Sequence, residues 1–487
     1  MSTTFIRAVG MTVLIVALGL ACLLVVKNGF VRGIRGSRPN IILIVVDTLR
    51  TDYLGCYGFR GPISPEIDKL ADKSVLFSRC IAQAPWTKPS AASIITSLHP
   101  QTHRVTEHHD MAWPALGAEY KTDILPEEAV TLAEALSLAG YRTAGFGENW
   151  WLAREYGFAQ GYENYEMGKK EKLIWEHNAD AMTSRIKRWL QSLEDQENFF
   201  LYIHYMDVHG PYLSTVEDRK ALNDSPSLGQ DRPLNPTERR RINPYLKPRH
   251  EAFDSLKAWK TSYAGGVRNF DRRLGGILSY LEDSGHMQGA VLVLTSDHGE
   301  ELCEHGAWNH GYSLHGHEIS VPLLIRLPGD EMGGSRVEGL TSLLDIMPTL
   351  LSLAGVRNKP TAMEGQDLSP LLFGQDLKLS EWSFSSAVAQ NPMIPDQGDV
   401  SGYVSVQNTD HKLIWNFPNG QPALYDLNSD PDEQEDVSSD NPDLAASLAR
   451  VLSRHVIDLG EKGSLLRTQE SMSPEEVERL RSLGYLR

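Results

Sequence analysis

The stretch Asn40-Ile41-Ile42-Leu43-Ile44-Val45-Val46 constrains the fold of this 487-residue chain more than any other. It carries no charge, is mostly β-branched, and runs straight into Asp47-Thr48, so it reads as a fully buried strand. Runs of the same kind stand at residues 199–205, 290–295 and 321–327. Residues 127–139, 178–193, 256–281 and 348–354 are helix-like, the first and last closed by Gly140 and Gly355. This alternation predicts a layered α/β domain on a mostly parallel sheet with helices on both faces. From about residue 380 the pattern changes to short runs at 403–407, 412–416 and 423–426, with turn residues such as Asn419-Gly420 between them, which reads as a small antiparallel appendage. The polar, Pro-rich stretch 217–248 reads as a surface loop, and the acidic stretch 430–436 and a closing helix over 473–484 as solvated and peripheral.

Residues 8–26 hold no charged side chain. At about 1.5 Å per residue, a helix of that length just crosses a hydrocarbon core about 30 Å thick. An uncleaved N-terminal transmembrane helix is the expectation, with a removed signal or a buried helix as alternatives; Cys22 makes a poor lipoprotein signal because the apolar run continues past it. Lys27, Arg32, Arg35 and Arg38 follow the span while Arg7 precedes it, which by itself favours a cytoplasmic body. The chain thus divides into an anchor and linker over 1–39, a catalytic domain over 40–379, and an antiparallel subdomain and tail over 380–487. A net charge of -16 argues against nucleic acid as a partner. Four cysteines without a CxxC pair indicate neither a structural zinc module nor a disulfide-stapled fold.

In open α/β sheets the ligand site forms beyond the carboxyl ends of the strands. One strand here delivers Asp47-Thr48, another Ser296-Asp297-His298-Gly299-Glu300, and a third ends in His204, Asp207 and His209. A lone Asp after a strand is usually a turn residue; three polar strand ends aimed at one edge suggest a metal site. The segment Ala84-Pro85-Trp86-Thr87-Lys88-Pro89-Ser90 places Thr87 at the N-terminus of a helix beginning near Pro89, where an anion is favoured. The plain alternative for Thr87 is an N-cap.

With these residues in view, the chain resembles the sulfatase family of the alkaline phosphatase superfamily. Thr87-Lys88-Pro89-Ser90-Ala91 and Thr96-Ser97 fall in register with its nucleophile signature, and residues 40–50 with its first metal strand. Gly140-Tyr141-Arg142-Thr143-Ala144 resembles the start of its next strand, Ser296-Asp297-His298-Gly299-Glu300 its second metal motif, and Leu424-Tyr425-Asp426-Leu427 with Asp430-Pro431 its C-terminal signature. The resemblance implies an alkaline-phosphatase-like layered sheet, and a hydrolase of sulfuric or phosphoric esters using one divalent ion (Mn²⁺, Ca²⁺, Mg²⁺ or Zn²⁺). It implies Asp47, Thr48, Thr87, Asp297 and His298 around the metal, with Thr48 replacing a second carboxylate as a weak ligand or a hydrogen-bond donor. His209 and His310 would bind the oxyanion and protonate the leaving group. His103 would face the site or serve structure, and Asn149 would contact the ester oxygens or serve a turn.

Two departures bear on chemistry. Family members oxidise Cys or Ser to formylglycine, whereas a secondary hydroxyl such as that of Thr87 would give a ketone, so Thr87 should attack directly. Ala91 stands at the family's Arg, and Gly147-Glu148-Asn149-Trp150 lacks the usual Lys and His. The remaining set also resembles phosphoglycerol and phosphoethanolamine transferases, which makes a membrane-anchored transferase the alternative. Expected partners are a small-molecule, glycan or lipid ester and, through the N-terminal helix, a membrane, with the catalytic body on the exported side as the resemblance implies. His298, His305, His310, His315 and His317 crowd one stretch; His305 and His315 read as surface or supporting residues, and His317 is open between these and a ligand.

Overall fold

The computed structural model describes residues 38–106, 123–168, 179–194, 197–212, 214–239, 254–390, 400–417 and 420–465. The expected membrane helix over 8–26 and the closing helix over 473–484 lie outside these residues. Among the described residues no helix is long and apolar enough to cross a membrane.

The central element is a sheet of eight strands among the described residues: β1 (Asn40–Val46), β2 (Val75–Ile81), β3 (Arg142–Gly147), β4 (Asn164–Glu166), β5 (Phe199–Tyr205), β6 (Ala290–Ser296), β9 (Ser320–Arg326) and β10 (Arg336–Ser342). Their order is β10-β2-β9-β6-β1-β5-β3-β4. β7 (Glu301–Leu302) and β8 (Trp308–Asn309) form a separate small ribbon. All six apolar residues of β1, Ile41 to Val46, are 0% exposed. Their alternation divides them between two cores. Ile41, Leu43 and Val45 pack with Ile94 and Ile95 of the Thr87–Thr96 helix and with Met347 and Leu350 of the Ile346–Leu353 helix. Ile42, Ile44 and Val46 pack with Ile67 of the Pro65–Asp72 helix, Ile186 of the Ala179–Leu190 helix, and Val267 and Phe270 of the Leu256–Asp283 helix. Each such aliphatic contributes about 1.5–3 kcal/mol on burial, so the strand is pinned from both sides.

The sheet is mostly parallel, as expected, but mixed by one reversed strand. β9 runs antiparallel to both β2 and β6, while β6, β1, β5, β3 and β4 are parallel in succession. An apolar run such as 321–327 looks alike in either direction, so the sequence carried no sign of the reversal. β2 and β10 were not evident either. Ser78 and Arg79 interrupt β2 where its pairing shifts register, and β10 is an edge strand with alternating exposed positions. The helix expected over 127–139 begins only at Leu132, because Thr131 and Glu134 close a capping box. Within the stretch read as a loop, Thr215 and Asp218 do the same for a Val216–Leu222 helix.

β11 (Ser383–Gln390), β12 (Val400–Gln407), β13 (His411–Phe417) and β14 (Pro422–Asp426) form an antiparallel sheet. Ala445, Leu448 and Leu452 of the Pro442–Leu465 helix cover its Val404, Val406, Leu413 and Leu424. The acidic stretch 430–436 is not wholly solvated as expected: Glu433 is buried and accepts from Lys412 Nζ at 2.9 and 3.1 Å. Burial pulls the Lys412 ammonium below its usual range, with Glu433 opposing. Burial pushes the Glu433 carboxyl up, but Lys412 and His315 outweigh it and hold that carboxyl at about 2.

Because Glu433 titrates at about 2 in the folded chain against an ordinary 4.5, the stability it confers is complete above that ordinary value. It is lost as pH falls through the folded value. Denaturation midpoints measured across this acid range are expected to fall less steeply for Glu433→Gln than for the parent. Lys412→Met, which strands a buried carboxylate, is expected to cost about 3 kcal/mol at neutral pH. An unchanged acid limb in Glu433→Gln would contradict this.

Candidate active site

Adjacent parallel strands bring the first two acids together. Val46 of β1 pairs with Ser296 of β6, so Asp47 and Asp297 leave the sheet side by side. Ser296 fixes both exits: its hydroxyl lies 2.6 Å from the carbonyls of Val46 and His298, which share its one hydrogen, and accepts from the Leu49 amide at 2.9 Å. The two carboxylates are 0% exposed, and Oδ1 of Asp47 and Oδ2 of Asp297 have no hydrogen-bond partner among the described residues. His298 Nε2 lies 3.4 Å from the former and 3.6 Å from the latter. Its Nδ1 is 2.9 Å from the Gly299 carbonyl, which can only accept, so Nε2 presents its lone pair to the cluster.

Burial and then the charge of Asp47 push the Asp297 carboxyl well above its usual range. Burial would raise Asp47 as well, but the His204 hydrogen bond and the nearby imidazoles outweigh it and hold that carboxyl low. Asp47, Asp297 and His298 present ligand atoms within 4.8 Å of one another. Two bare oxygens and one imidazole lone pair converging in a dry space form the donor set of a divalent cation.

Thr87 is the first residue of a ten-residue helix, Thr87–Thr96. Its hydroxyl is 3.2 Å from Asp47 Oδ2 and 3.4 Å from His298 Nε2. Asn149 Nδ2 donates to the same Asp47 oxygen at 2.8 Å and to Thr87 Oγ1 at 3.3 Å, while its Oδ1 caps the following turn by accepting from the Trp151 amide. Ser90, one turn into the helix, donates to the Asp297 carbonyl at 2.5 Å and so ties the helix start to β6. From His298 the imidazoles continue outward, with ring centroids 4.4 Å apart to His310 and a further 5.1 Å from there to His209. Nδ1 of His209 donates to the Gly210 carbonyl at 2.7 Å, and Nδ1 of His310 lies 3.4 Å from Glu300 Oε1.

The structure thus gathers Asp47, Thr87, Asn149, Asp297, His298, His310 and His209. It does not gather Thr48 or His103. Thr48 adopts a left-handed conformation (φ 60°) and spends its hydroxyl on the Asp47 carbonyl at 2.7 Å, so it is no ligand in this arrangement. His103 is buried against the helix, with Nε2 3.1 Å from Ser93 Oγ and Nδ1 accepting from the Val105 amide, and burial pushes its imidazole down to about 3. It supports the Thr87 helix and does not face the cluster. His204, expected at this edge from the end of its strand but not among the ligands or catalytic residues, also joins the cluster. Its Nε2 is 3.3 Å from Asp47 Oδ2, and its Nδ1 accepts from the Tyr202 hydroxyl at 3.0 Å. The signal was present, since a histidine in an otherwise apolar, fully buried strand needs a polar partner inside.

The chain belongs to the sulfatase family, which residues 39–356 match, and is a sulfatase-like ester hydrolase. Residues 303–461 match the C-terminal region of N-sulphoglucosamine sulphohydrolase. Among curated relatives, an N-acetylglucosamine-6-O-sulfatase of Bacteroides thetaiotaomicron is 23% identical over 82% of this chain and 83% of its own. A multifunctional alkaline phosphatase superfamily protein of Trinickia caryophylli is 23% identical over 83% of this chain and 92% of its own. Among solved structures, the phosphonate monoester hydrolase of Agrobacterium radiobacter shares the fold with a TM-score of 0.66, covering 88% of this chain and 96% of that one at 22% identity.

Asn149 bridges Thr87 and Asp47 without being charged, so its loss should loosen the hydroxyl and leave the sheet intact. Asn149→Ala is expected to lower kcat about ten- to hundred-fold, or ~1.4–2.7 kcal/mol, with unchanged circular dichroism. Wild-type kcat in this variant would remove Asn149 from the site.

Proposed function

We propose that the protein hydrolyses sulfuric or phosphoric esters carried on glycans, with unmodified Thr87 as the nucleophile and one divalent metal ion. The observation that carries this reading is the Thr87 hydroxyl, set at a helix N-terminus and within 3.2 Å of Asp47 and 3.4 Å of His298. Asp47, Asp297 and His298 would hold the ion, with the Thr87 hydroxyl beside it. When bound, it lowers the pKa of that hydroxyl and offsets charge on the ester's nonbridging oxygens. The N-terminal amides of the Thr87–Thr96 helix favour the ester anion at the same place. Asp47 Oδ2 accepts the proton as Thr87 Oγ1 attacks sulfur or phosphorus in line, forming a bond to Thr87 while the bond to the leaving oxygen breaks. His310 or His209 protonates the leaving alkoxide. Water then attacks the sulfur or phosphorus of the Thr87 ester, releasing sulfate or phosphate and restoring the hydroxyl. Hydrolysis is preferred to transfer because the relatives named above are a sulfatase and a phosphonate hydrolase, and a glycan substrate follows the N-acetylglucosamine-6-O-sulfatase.

Paired assays with an aryl sulfate and with phosphate mono- and diesters test the reading. Thr87→Ala is expected to lower turnover at least about a thousand-fold, and Thr87→Ser to keep appreciable activity. Asp297→Ala and His298→Ala should lose metal together with nearly all turnover, as elemental analysis would record. Wild-type turnover in Thr87→Ala would end the proposal.

We further place the catalytic body on the exported side of a membrane, held by residues 8–26. The uncharged length of that segment supports this, and large downstream domains translocate regardless of the basic flank. In right-side-out vesicles, protease should digest the body without lysis. Protection until the membrane is broken would reverse the orientation.

A further inference from the structure

A second polar cluster, outside the chemistry above, lies where the ribbon after β6 meets the C-terminal sheet's acidic loop. Glu301 of β7, His305 of the following turn and His317 of the short Gly316–Ile319 helix present ligand atoms within 4.8 Å of one another. The Glu301 carboxylate is fully buried, and the side chains of His305 and His317 are 14% and 11% exposed.

Hydrogen-bond accounting shows what this cluster lacks. His305 Nε2 lies 3.0 Å from the Asp432 carbonyl and 3.1 Å from that of Glu433. The Gln434 side-chain amide nitrogen also lies 3.1 Å from Nε2; with Nε2 donating to the two carbonyls, which only accept, a neutral ring turns the Nδ1 lone pair inward. That lone pair meets Glu301 Oε1 at 2.7 Å. Two acceptors at this distance need a positive charge between or beside them. A proton on His305 would meet that need, but it leaves the second deficit untouched: Nδ1 of His317 is buried with no partner among the described residues. An unpaired buried polar atom costs about 1–3 kcal/mol, and a cation shared by all three residues removes both deficits.

We propose that Glu301, His305 and His317 form a second metal site for a first-row transition ion such as Zn²⁺. Two imidazoles and a carboxylate are a ligand set such ions favour over calcium or magnesium. Bonds of about 2.0–2.2 Å put ligand atoms roughly 3.4 Å apart in a tetrahedron, so binding would part His305 Nδ1 and Glu301 Oε1 slightly from their present 2.7 Å. The Nε2 contact of His305 to backbone carbonyls is the kind that orients a ligating ring, and His315, stacked on His305 at 3.6 Å and 3.0 Å from Glu433, holds it from the other side. The site is structural. His317 and Glu318 pair through their carbonyls with the amides of Glu300 and Gly299, at 3.0 and 2.7 Å, so the ion clamps the turn that carries Asp297 and His298 to the 431–436 loop. This inference does not depend on Thr87 chemistry.

The test uses the full chain with Asp297→Ala, which disables the first cluster, stripped with chelator and reloaded with zinc chloride. About one zinc per chain is expected, with X-ray absorption showing two imidazole nitrogens and carboxylate oxygen at roughly 2.0–2.2 Å. Adding His317→Ala or Glu301→Gln should bring the count to about zero. Zinc-free Asp297→Ala protein, a bound zinc without imidazole scattering, or a count unmoved by His317→Ala would each overturn the site. The absorption spectrum decides the matter even where a second substitution prevents folding.

Discussion

Two carboxylates, Asp47 and Asp297, are held side by side at the ends of neighbouring strands, wholly out of water, each with an oxygen that no group among the described residues satisfies. Burying an ionised carboxylate costs several kcal/mol even after relaxation, and placing two together adds their repulsion. The surrounding structure is arranged around this constraint. β1 and β6 are pinned by aliphatic packing on both faces, which stops the acids from retreating. Ser296 fixes their backbone exits, and His204 and Asn149 share the remaining Asp47 oxygen. What is left bare on both carboxylates points to the same place as the His298 lone pair. A divalent cation there would resolve the electrostatic conflict.

The Thr87 helix is the second half of the same arrangement. Its N-terminus is brought to the carboxylates by Ser90, which reaches the Asp297 carbonyl, and by His103, which buttresses the helix through Ser93. The hydroxyl then stands between a carboxylate and an imidazole at the N-terminus of the helix. The row His298, His310 and His209 leads away from this point.

Much of this was legible in the sequence because it rests on strong local signals. Residues 40–46 and 199–205 are strands with the bounds their composition implies, and the polar residues that follow them, with those after 290–296, meet at one edge. Direction and depth were not legible. The run at 320–326 gives no sign of its antiparallel pairing, and β10 is too polar and too exposed to stand out. Thr48 follows Asp47 and looked like a ligand, yet a backbone turn to φ 60° takes its hydroxyl away, which sequence spacing cannot foretell. His204 was legible as a polar residue at this edge, but not its contact with Asp47. It lies inside an apolar run, where its role follows only once the neighbouring strand's Asp47 is known to sit 3.3 Å away. The histidines after Asp297 divide by tertiary position: His298 and His310 join the Thr87 cluster, while His305, His315 and His317 gather against the acidic loop.

The central claim is that Thr87, unmodified, carries the transferred group. Mixing the metal-loaded enzyme with excess ester, quenching in acid within a turnover, and sequencing the peptide that contains Thr87 by mass spectrometry tests this directly. The account predicts an unmodified Thr87 before mixing and a sulfuryl or phosphoryl ester on that residue afterwards, absent from a Thr87→Ala control. An adduct on another side chain, or none while product is being formed, would contradict it.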